Sequence, residues 1–239
     1  MKTENEYNEI LSMVTHDLKS PMTAVMGALD LMAEDDLTKD EKNECVKAAR
    51  KASKTIMKLV ENILVMAKYE AGKEHTEYEL VENLQDHIKD VCNTFKYEMK
   101  VKDINFNIHI DKNLPDVYWD IDKIHYHVLN NIISNAIKFT SYGGNISFSI
   151  VSNKDHFITI KIKDDGIGIP KDKRDSIFEK YDTHNNKKVF KGTGLGLYNA
   201  FNFVKKHLGT IKIIDGLNKK GTGFNITIPI NPTNVVTKG

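Results

Sequence analysis

The first 70 residues carry large apolar side chains at helical spacing. From Tyr7 to Met32 they recur every three or four positions, which places them on one face of a helix. The positions are Tyr7, Leu11, Val14, Leu18, Met22, Val25, Leu29 and Met32. A polar link follows, in which Thr38 or Asp40 is suited to cap a second helix. The apolar stripe of that helix is Cys45, Ala49, Ala52, Ile56, Leu59, Ile63 and Met66.

These two stripes predict an antiparallel helical hairpin that is apolar on one face. Such a hairpin cannot enclose a core by itself, but two copies can pack into a four-helix bundle. The pattern therefore favours a homodimer. The alternative is that the hairpin packs on the rest of its own chain.

Beyond the polar stretch at residues 71–79 the periodicity changes. Helices are predicted over residues 80–101, 121–139 and 198–207, and period-two alternation predicts strands in NFNIHI, DVYWD, NISFSIVS, FITIKIKD, GTIKII and GFNITIPI. Mixed strands and helices of this kind are typical of an α+β sandwich, with a mixed sheet covered by helices on one face. The expected domains are residues 1–72 and 73–232, with a tail at 233–239.

Composition narrows the class of partner. The chain has 34 basic and 33 acidic residues and a formal charge of +1, so no global field attracts nucleic acid. Cys45 and Cys92 lack metal-ligand spacing, which favours a reduced intracellular protein. Without a bilayer-length apolar run, this segment is expected to be cytoplasmic and free of membrane contact, although a longer protein could be membrane-anchored.

His16 lies at the centre of the motif THDLKSP. If Leu11, Val14 and Leu18 face the bundle core, His16 falls on the opposite face of the helix and meets water. An exposed histidine with no function is the simpler interpretation of this motif alone. Pro21 adds to the functional interpretation, because a proline inside a helix removes a backbone donor and bends the helix.

The segment HVLNNIISNAIKFT places three polar side chains on one helix face. Asn131, Asn135 and Lys138 recur at helical spacing. Amide oxygens are hard ligands suited to Mg²⁺, and a lysine can hold phosphate as a point charge. A merely solvated helix face is the alternative.

Two glycine clusters are the remaining candidate ligand-binding motifs. In KIKDDGIGIP, a strand runs into Asp164, whose carboxylate can accept a hydrogen bond from an amino group such as that of adenine, while Gly166 and Gly168 let backbone approach a ligand. A plain β-turn would look similar. In KGTGLGLYNA, the glycines open a helix whose free amides favour polyphosphate, without the pattern of a Walker or Rossmann loop. They are Gly192, Gly194 and Gly196.

Taken in order, these motifs resemble those of the sensor histidine kinases of two-component systems. THDLKSP matches the family's H-box, HVLNNIISNAIKFT its N-box, DDGIGIP and GTGLGL its two glycine boxes, and SIFEKY its F-box. The resemblance runs from about Tyr7 to Ile230. It implies a dimeric helical phosphoacceptor domain followed by the Bergerat-type ATP-binding fold, which type II topoisomerases and heat-shock chaperones share.

The resemblance also implies roles for individual residues. His16 would be phosphorylated using ATP, with Asp17 orienting the ring or accepting its proton, and the phosphoryl group would pass to an aspartate of a response-regulator receiver domain. Asn135 would bind Mg²⁺, Phe178 would form the hinge of a mobile lid, and Asp164 would recognise adenine. The implied nucleotide site consists of Asn131, Asn135, Lys138, Phe139, Asp164, Gly166, Gly168, Phe178, Gly192, Gly194, Leu195 and Gly196.

One departure from the family pattern concerns Asp165, which stands where asparagine is usual. It is expected to add charge near the nucleotide. Two other functions stay open: a dimeric signalling scaffold or phosphatase with little kinase activity, and an ATP-gated clamp in which water takes the phosphoryl group. The clamp leaves THDLKSP unexplained.

Overall fold

The computed structural model describes residues 2–34, 36–153, 156–179 and 194–234. It divides into two compact units. The first contains the helical hairpin up to Glu74 and, among the described residues, Gly194 and Leu195. The second contains His75–Glu179 together with the chain from Gly196 onward. In the described part of the chain, no helix has both the length and the apolar content required to cross a bilayer.

The first unit is the predicted hairpin, formed by α1 (Lys2–Met32) and α2 (Lys39–Glu70). Thr38 begins α2 with a capping box, in which its hydroxyl accepts from the backbone N–H of Glu41 and the Glu41 carboxylate accepts from the backbone N–H of Thr38. The predicted α2 stripe is the packed one, since Ala52, Leu59 and Met66 are buried.

Within a single chain the predicted α1 stripe is only partly buried. Met22 and Leu29 are 54% and 52% exposed, whereas Ala28 is buried. The reason is geometric, because the apolar face of α1 is wider than a single partner helix can cover. The side chains of Tyr7 and Leu11 lie outside the described residues.

The second unit is built on a five-stranded mixed sheet in the order β2-β4-β5-β7-β6. β2 runs parallel to β4, and the other neighbours are antiparallel. A small antiparallel pair, β1 with β3, lies apart from this sheet. The strands are β1 (Glu79–Val81), β2 (Asn105–Ile110), β3 (Val117–Trp119), β4 (Asn145–Asn153), β5 (Phe157–Asp164), β6 (Thr210–Asp215) and β7 (Thr222–Pro229).

Helices supply the other half of the core. Phe148, Ile160 and Ile226 alternate with more polar neighbours along their strands and are fully buried, as are Ile132 and Val204 on helices. The sheet therefore has one apolar face, and the predicted α+β sandwich is confirmed. The helices are α3 (Leu84–Thr94), α4 (Lys96–Val101), α5 (Ile121–Lys123), α6 (Asn130–Phe139) and α7 (Leu195–Lys206).

Four features of the helices differ from the prediction. The helix expected from residue 80 begins at Leu84, because Leu80 and Val81 pair with β3, and Phe95 separates α3 from α4. The helix expected from Tyr198 starts at Leu195. Between α5 and α6, residues Ile124–Leu129 form a π-helical turn that helical periodicity alone does not reveal.

Candidate active site

His16 lies on α1 with its side chain 82% exposed. Its Nδ1 is 3.2 Å from Oδ1 of Asp17. A carboxylate can only accept, so this hydrogen bond requires the proton on Nδ1 and leaves the lone pair on Nε2. Adjacent helical residues do not normally face each other, yet here their rotamers bring the two side chains together. Pro21 lies within the same helix and cannot donate to the carbonyl of Asp17.

Three candidate side chains project from α6. Asn131 is buried, its Nδ2 donating to the His127 carbonyl in the π-helical turn at 2.7 Å. Asn135 is half-buried, and its side chain makes no hydrogen bond to the described residues. Lys138 is exposed, with its Nζ 4.8 Å from the centroid of the Phe139 ring. The helix thus presents one tethered amide, one available amide and one ammonium.

Asp164 ends β5 and is 4% exposed. Its Oδ1 accepts from the backbone N–H of Gly166 at 2.9 Å and of Thr222 at 3.0 Å, and no described residue donates to Oδ2. Burial raises the pKa of this carboxyl, opposed by the two N–H donors. Oδ2 is therefore the oxygen available to a ligand's amino group.

Asp165 has different surroundings from Asp164. Its two oxygens accept from the backbone N–H of Asn145 at 2.8 Å and from Nδ2 of the same residue at 2.7 Å. Burial alone would raise the pKa of Asp165, but these hydrogen bonds hold it below its usual value. The extra charge therefore serves to anchor the start of β4.

The glycines allow close approach of backbone around Asp164 and Asn131. A Cβ on Gly166 would overlap the carbonyl of Phe139 at the end of α6. Gly168 has φ +74° and lies against the Gly221 carbonyl, and a Cβ on Gly196 would lie 3.1 Å from Oδ1 of Asn131. The structure thus brings the first glycine box to the end of α6 and Gly196 to its start.

The remaining described positions lie at the start of α7 or pack against it. Gly194, with φ +69°, directly precedes the helix, and Leu195 is fully buried as its first residue. Phe178 packs against Phe201, with 5.4 Å between ring centroids, and against Phe224 at 6.4 Å. The expected lid runs from about Ile177 to Lys191, and its residues 180–191, like Gly192, lie outside the described residues.

The side chains on α6 include one oxygen ligand that suits magnesium. Asn135 offers an uncommitted amide oxygen, a hard ligand, beside an ammonium that suits phosphate. Across the described residues, no group of three or more His, Cys, Asp or Glu side chains could hold a metal ion. Mg²⁺ commonly binds through one or two protein oxygens plus substrate phosphates, and this arrangement matches that mode.

Sequence reasoning missed Gly221 and Thr222. Thr222 donates its backbone N–H to Asp164, and a Cβ on Gly221 would overlap the Asp164 carbonyl. The glycines of KKGTGF before the last strand were the available signal. These glycines fit the strand pattern as well, because nothing local shows that this segment crosses the end of β5.

Comparison with known proteins identifies two domain families in this chain. Residues 6–72 match the His Kinase A (phospho-acceptor) domain, and residues 120–232 match the Histidine kinase-, DNA gyrase B-, and HSP90-like ATPase family. Sensor histidine kinase WalK of Bacillus subtilis is 31% identical over 238 residues, covering 95% of this chain and 37% of that protein. The chain likewise spans 14% of the length of hybrid signal transduction histidine kinase D of Dictyostelium discoideum and 59% of that of adaptive-response sensory kinase SasA of Microcystis aeruginosa.

Two solved structures are similar as well. The Acinetobacter baumannii histidine kinase AdeS matches with a TM-score of 0.69 and 23% identity, covering 90% of this chain and 98% of that one. This match supports the fold. The catalytic domain of histidine kinase ThkA matches with a TM-score of 0.58 and 26% identity, covering 66% and 98%. With both domain families present in order, the chain belongs to the sensor histidine kinases of two-component systems.

Proposed function

We propose that this chain is the catalytic core of a protein-histidine kinase that uses ATP to phosphorylate its own His16. The phosphoryl group then passes to an aspartate of a response-regulator receiver domain. The observation that supports this most directly is the imidazole of His16, 82% exposed and hydrogen-bonded through Nδ1 to Asp17.

In the proposed reaction, Nε2 of His16 attacks the γ-phosphorus in line with the bond to ADP. The N–P bond forms as the P–O bond breaks, and ADP leaves with the electron pair. Positive charge develops on the ring, where Asp17 stabilises the Nδ1 proton. Asp17 thereby both orients and stabilises the imidazole.

The nucleotide is held by the second unit in this proposal. Asp164 accepts from the adenine amino group through Oδ2, and Asn131 and Lys138 contact phosphates. The amide at Gly196 faces the triphosphate near the start of α7, where the helix dipole favours negative charge. Mg²⁺, bound by Asn135 together with phosphate oxygens, would offset phosphate charge.

The hairpin serves dimerisation in the same proposal. Met22, Met26 and Leu29 on α1 and Met57 and Leu64 on α2 are each more than half exposed. Contiguous exposed apolar side chains mark association surfaces, and a second hairpin offers the matching surface.

Residues 1–72 would then form the dimerisation and phosphotransfer domain, residues 73–232 the ATP-binding domain, and 233–239 a tail. Because the reaction consumes ATP, the proposed location is the cytoplasm.

Labelling with [γ-³²P]ATP tests the proposal. His16→Ala should abolish acid-labile, base-stable labelling of the protein and leave ATP affinity unchanged, because His16 belongs to the acceptor helix. His109→Ala, at an exposed histidine on β2, is the matched control and should label normally.

Two outcomes would contradict the assignment. Labelling that survives His16→Ala would exclude His16 as the acceptor. Release of phosphate by the unaltered protein without any labelling would favour the ATP-gated clamp.

A further inference from the structure

The last turn of α6 has hydrogen-bond donors for several of its terminal carbonyls. The final carbonyls of a helix have no intrahelical donors. Here Thr140 donates to the Ala136 carbonyl from both its N–H and its Oγ1, at 3.0 and 2.7 Å. Nζ of Lys102 donates to the carbonyls of Ile137 and Thr140, each at 2.7 Å, and to that of Lys138 at 3.3 Å. One ammonium from outside the helix therefore binds two of its terminal carbonyls and the carbonyl of the Thr140 cap.

The backbone of Lys102 is fixed in turn. α4 ends in a Schellman motif, with Asp103 at φ 53° and hydrogen bonds from Ile104 N–H to the Met99 carbonyl and from Asp103 N–H to the Lys100 carbonyl. Ile104 and Met99 are both buried. The carbonyl of Lys102 also accepts from Gly143 N–H at 3.0 Å, in the turn after α6.

This connection ends beside the candidate nucleotide site. Phe139, the final residue of α6, has its carbonyl directly against Gly166 of the first glycine box, and Lys138 lies in the same turn. A cation at a helix C-terminus also offsets the negative end of the helix dipole. Removing the Lys102 ammonium would free this turn to shift relative to the glycine box.

From this geometry we infer that Lys102 is a positioning residue for nucleotide binding. It holds the last turn of α6 so that Lys138 and the Gly166 loop keep the spacing that ATP requires. The inference rests on the proposed nucleotide site on α6. Lys102 touches neither the nucleotide nor the reacting atoms in this role.

The test measures KM for ATP and kcat of autophosphorylation in the 239-residue protein. Lys102→Met should raise KM about tenfold and lower kcat by less than about threefold, because saturating ATP selects the remaining competent conformation. Lys102→Arg, which keeps the charge and the donors, should stay within about threefold of the unaltered KM. Lys100→Met, at an exposed lysine of α4, is the matched control and should change neither constant.

A KM for Lys102→Met equal to that of Lys100→Met would overturn the inference, even if the melting temperature fell. Should Lys102→Met fail to fold, Lys102→Gln, which keeps an N–H donor but loses the charge, replaces it and should show an intermediate KM. Asn135→Asp separates the two levels of the proposal. If Asn135→Asp leaves ATP affinity unchanged, the nucleotide site itself is wrong. If it weakens binding while Lys102→Met behaves as the control, the positioning role alone is wrong.

Discussion

Asp164 and Asp165 are adjacent in sequence and have opposite environments. Asp164 is buried, with one oxygen bound by two backbone N–H groups and a raised pKa. Asp165 is bound by Asn145 and has a lowered pKa. Adjacent residues of a strand end point to opposite sides, so one carboxylate can face a ligand while the other stabilises the sheet.

Asp164→Asn is expected to weaken ATP binding by roughly 10- to 100-fold, equivalent to about 1.5–3 kcal/mol. The amide has a single oxygen, which the two backbone N–H groups require, so its NH₂ would face the adenine amino group as donor to donor. Isothermal titration calorimetry measures the change. Asp165→Asn is the control and should bind ATP within about twofold of the unaltered protein, since an amide oxygen can still accept from Asn145. Equal losses in both variants would contradict the assignment of Oδ2 to adenine.

At the scale of elements, a buried histidine joins the end of α7 to the start of α5. His207 is fully buried, its Nδ1 donates to the Phe203 carbonyl at 2.8 Å, and its Nε2 accepts from Asp120 N–H at 3.1 Å. The Asp120 carboxylate caps α5 through Lys123 N–H and accepts from Glu77 N–H. Because Nε2 must accept, the folded protein requires the neutral ring.

Burial lowers the pKa of His207. The hydrogen bond to the Phe203 carbonyl and the charge of Asp120 offset only part of this decrease. In the unfolded chain a histidine binds its proton below about pH 6.5. The His207 contribution to stability is therefore complete above about pH 6.5 and is lost as pH falls from there toward the depressed folded value. The neighbouring titratable groups are Asp120 and Tyr78, the latter with its ring edge-on to His207 at 5.3 Å between centroids.

Urea unfolding between pH 7.5 and 5.5 measures this dependence. The unaltered protein should lose up to about 1.4 kcal/mol of unfolding free energy per pH unit more than His207→Gln, the limit for one proton. His109→Gln removes an exposed histidine and should keep the original slope. An unchanged slope in His207→Gln would show that His207 does not control the acid sensitivity.

At the scale of the whole molecule, the proposed dimer follows from the hairpin having more apolar surface than its two helices bury. Ala52, Leu59 and Met66 of α2 are buried within the hairpin, whereas Met57 and Leu64 are 60% and 56% exposed. A helix that is apolar on two sides needs two partners. One partner is α1, and the second copy of the chain is the proposed other.

Leu64→Lys is expected to shift the protein from dimer to monomer, because a buried unpaired ammonium destabilises an apolar interface. Light scattering after size exclusion should give about 27.2 kDa for the variant and twice that mass for the unaltered chain. Tyr97→Lys, at a 77% exposed side chain of α4, is the control and should remain dimeric. A monomeric unaltered protein would contradict the dimer.

Local sequence patterns were sufficient to predict much of the secondary structure of this protein. The helical period of the first 70 residues predicted the hairpin, and the alternation of NISFSIVS and FITIKIKD predicted β4 and β5. The motif around His16 predicted an exposed imidazole, which the structure confirms at 82% exposure. These features depend on residues within a few positions of one another, so the sequence alone contains their cause.

Only the tertiary structure decided which distant groups meet. Thr222 reaches Asp164 across 58 residues, and Lys102 reaches the end of α6 across 35. The short strand β1 exists because β3 pairs with it. Such contacts depend on strand order and on where each chain segment crosses the sheet, which no local period encodes. The motifs therefore predict the chemistry proposed for the candidate site, while the groups that hold the site in place were set by packing.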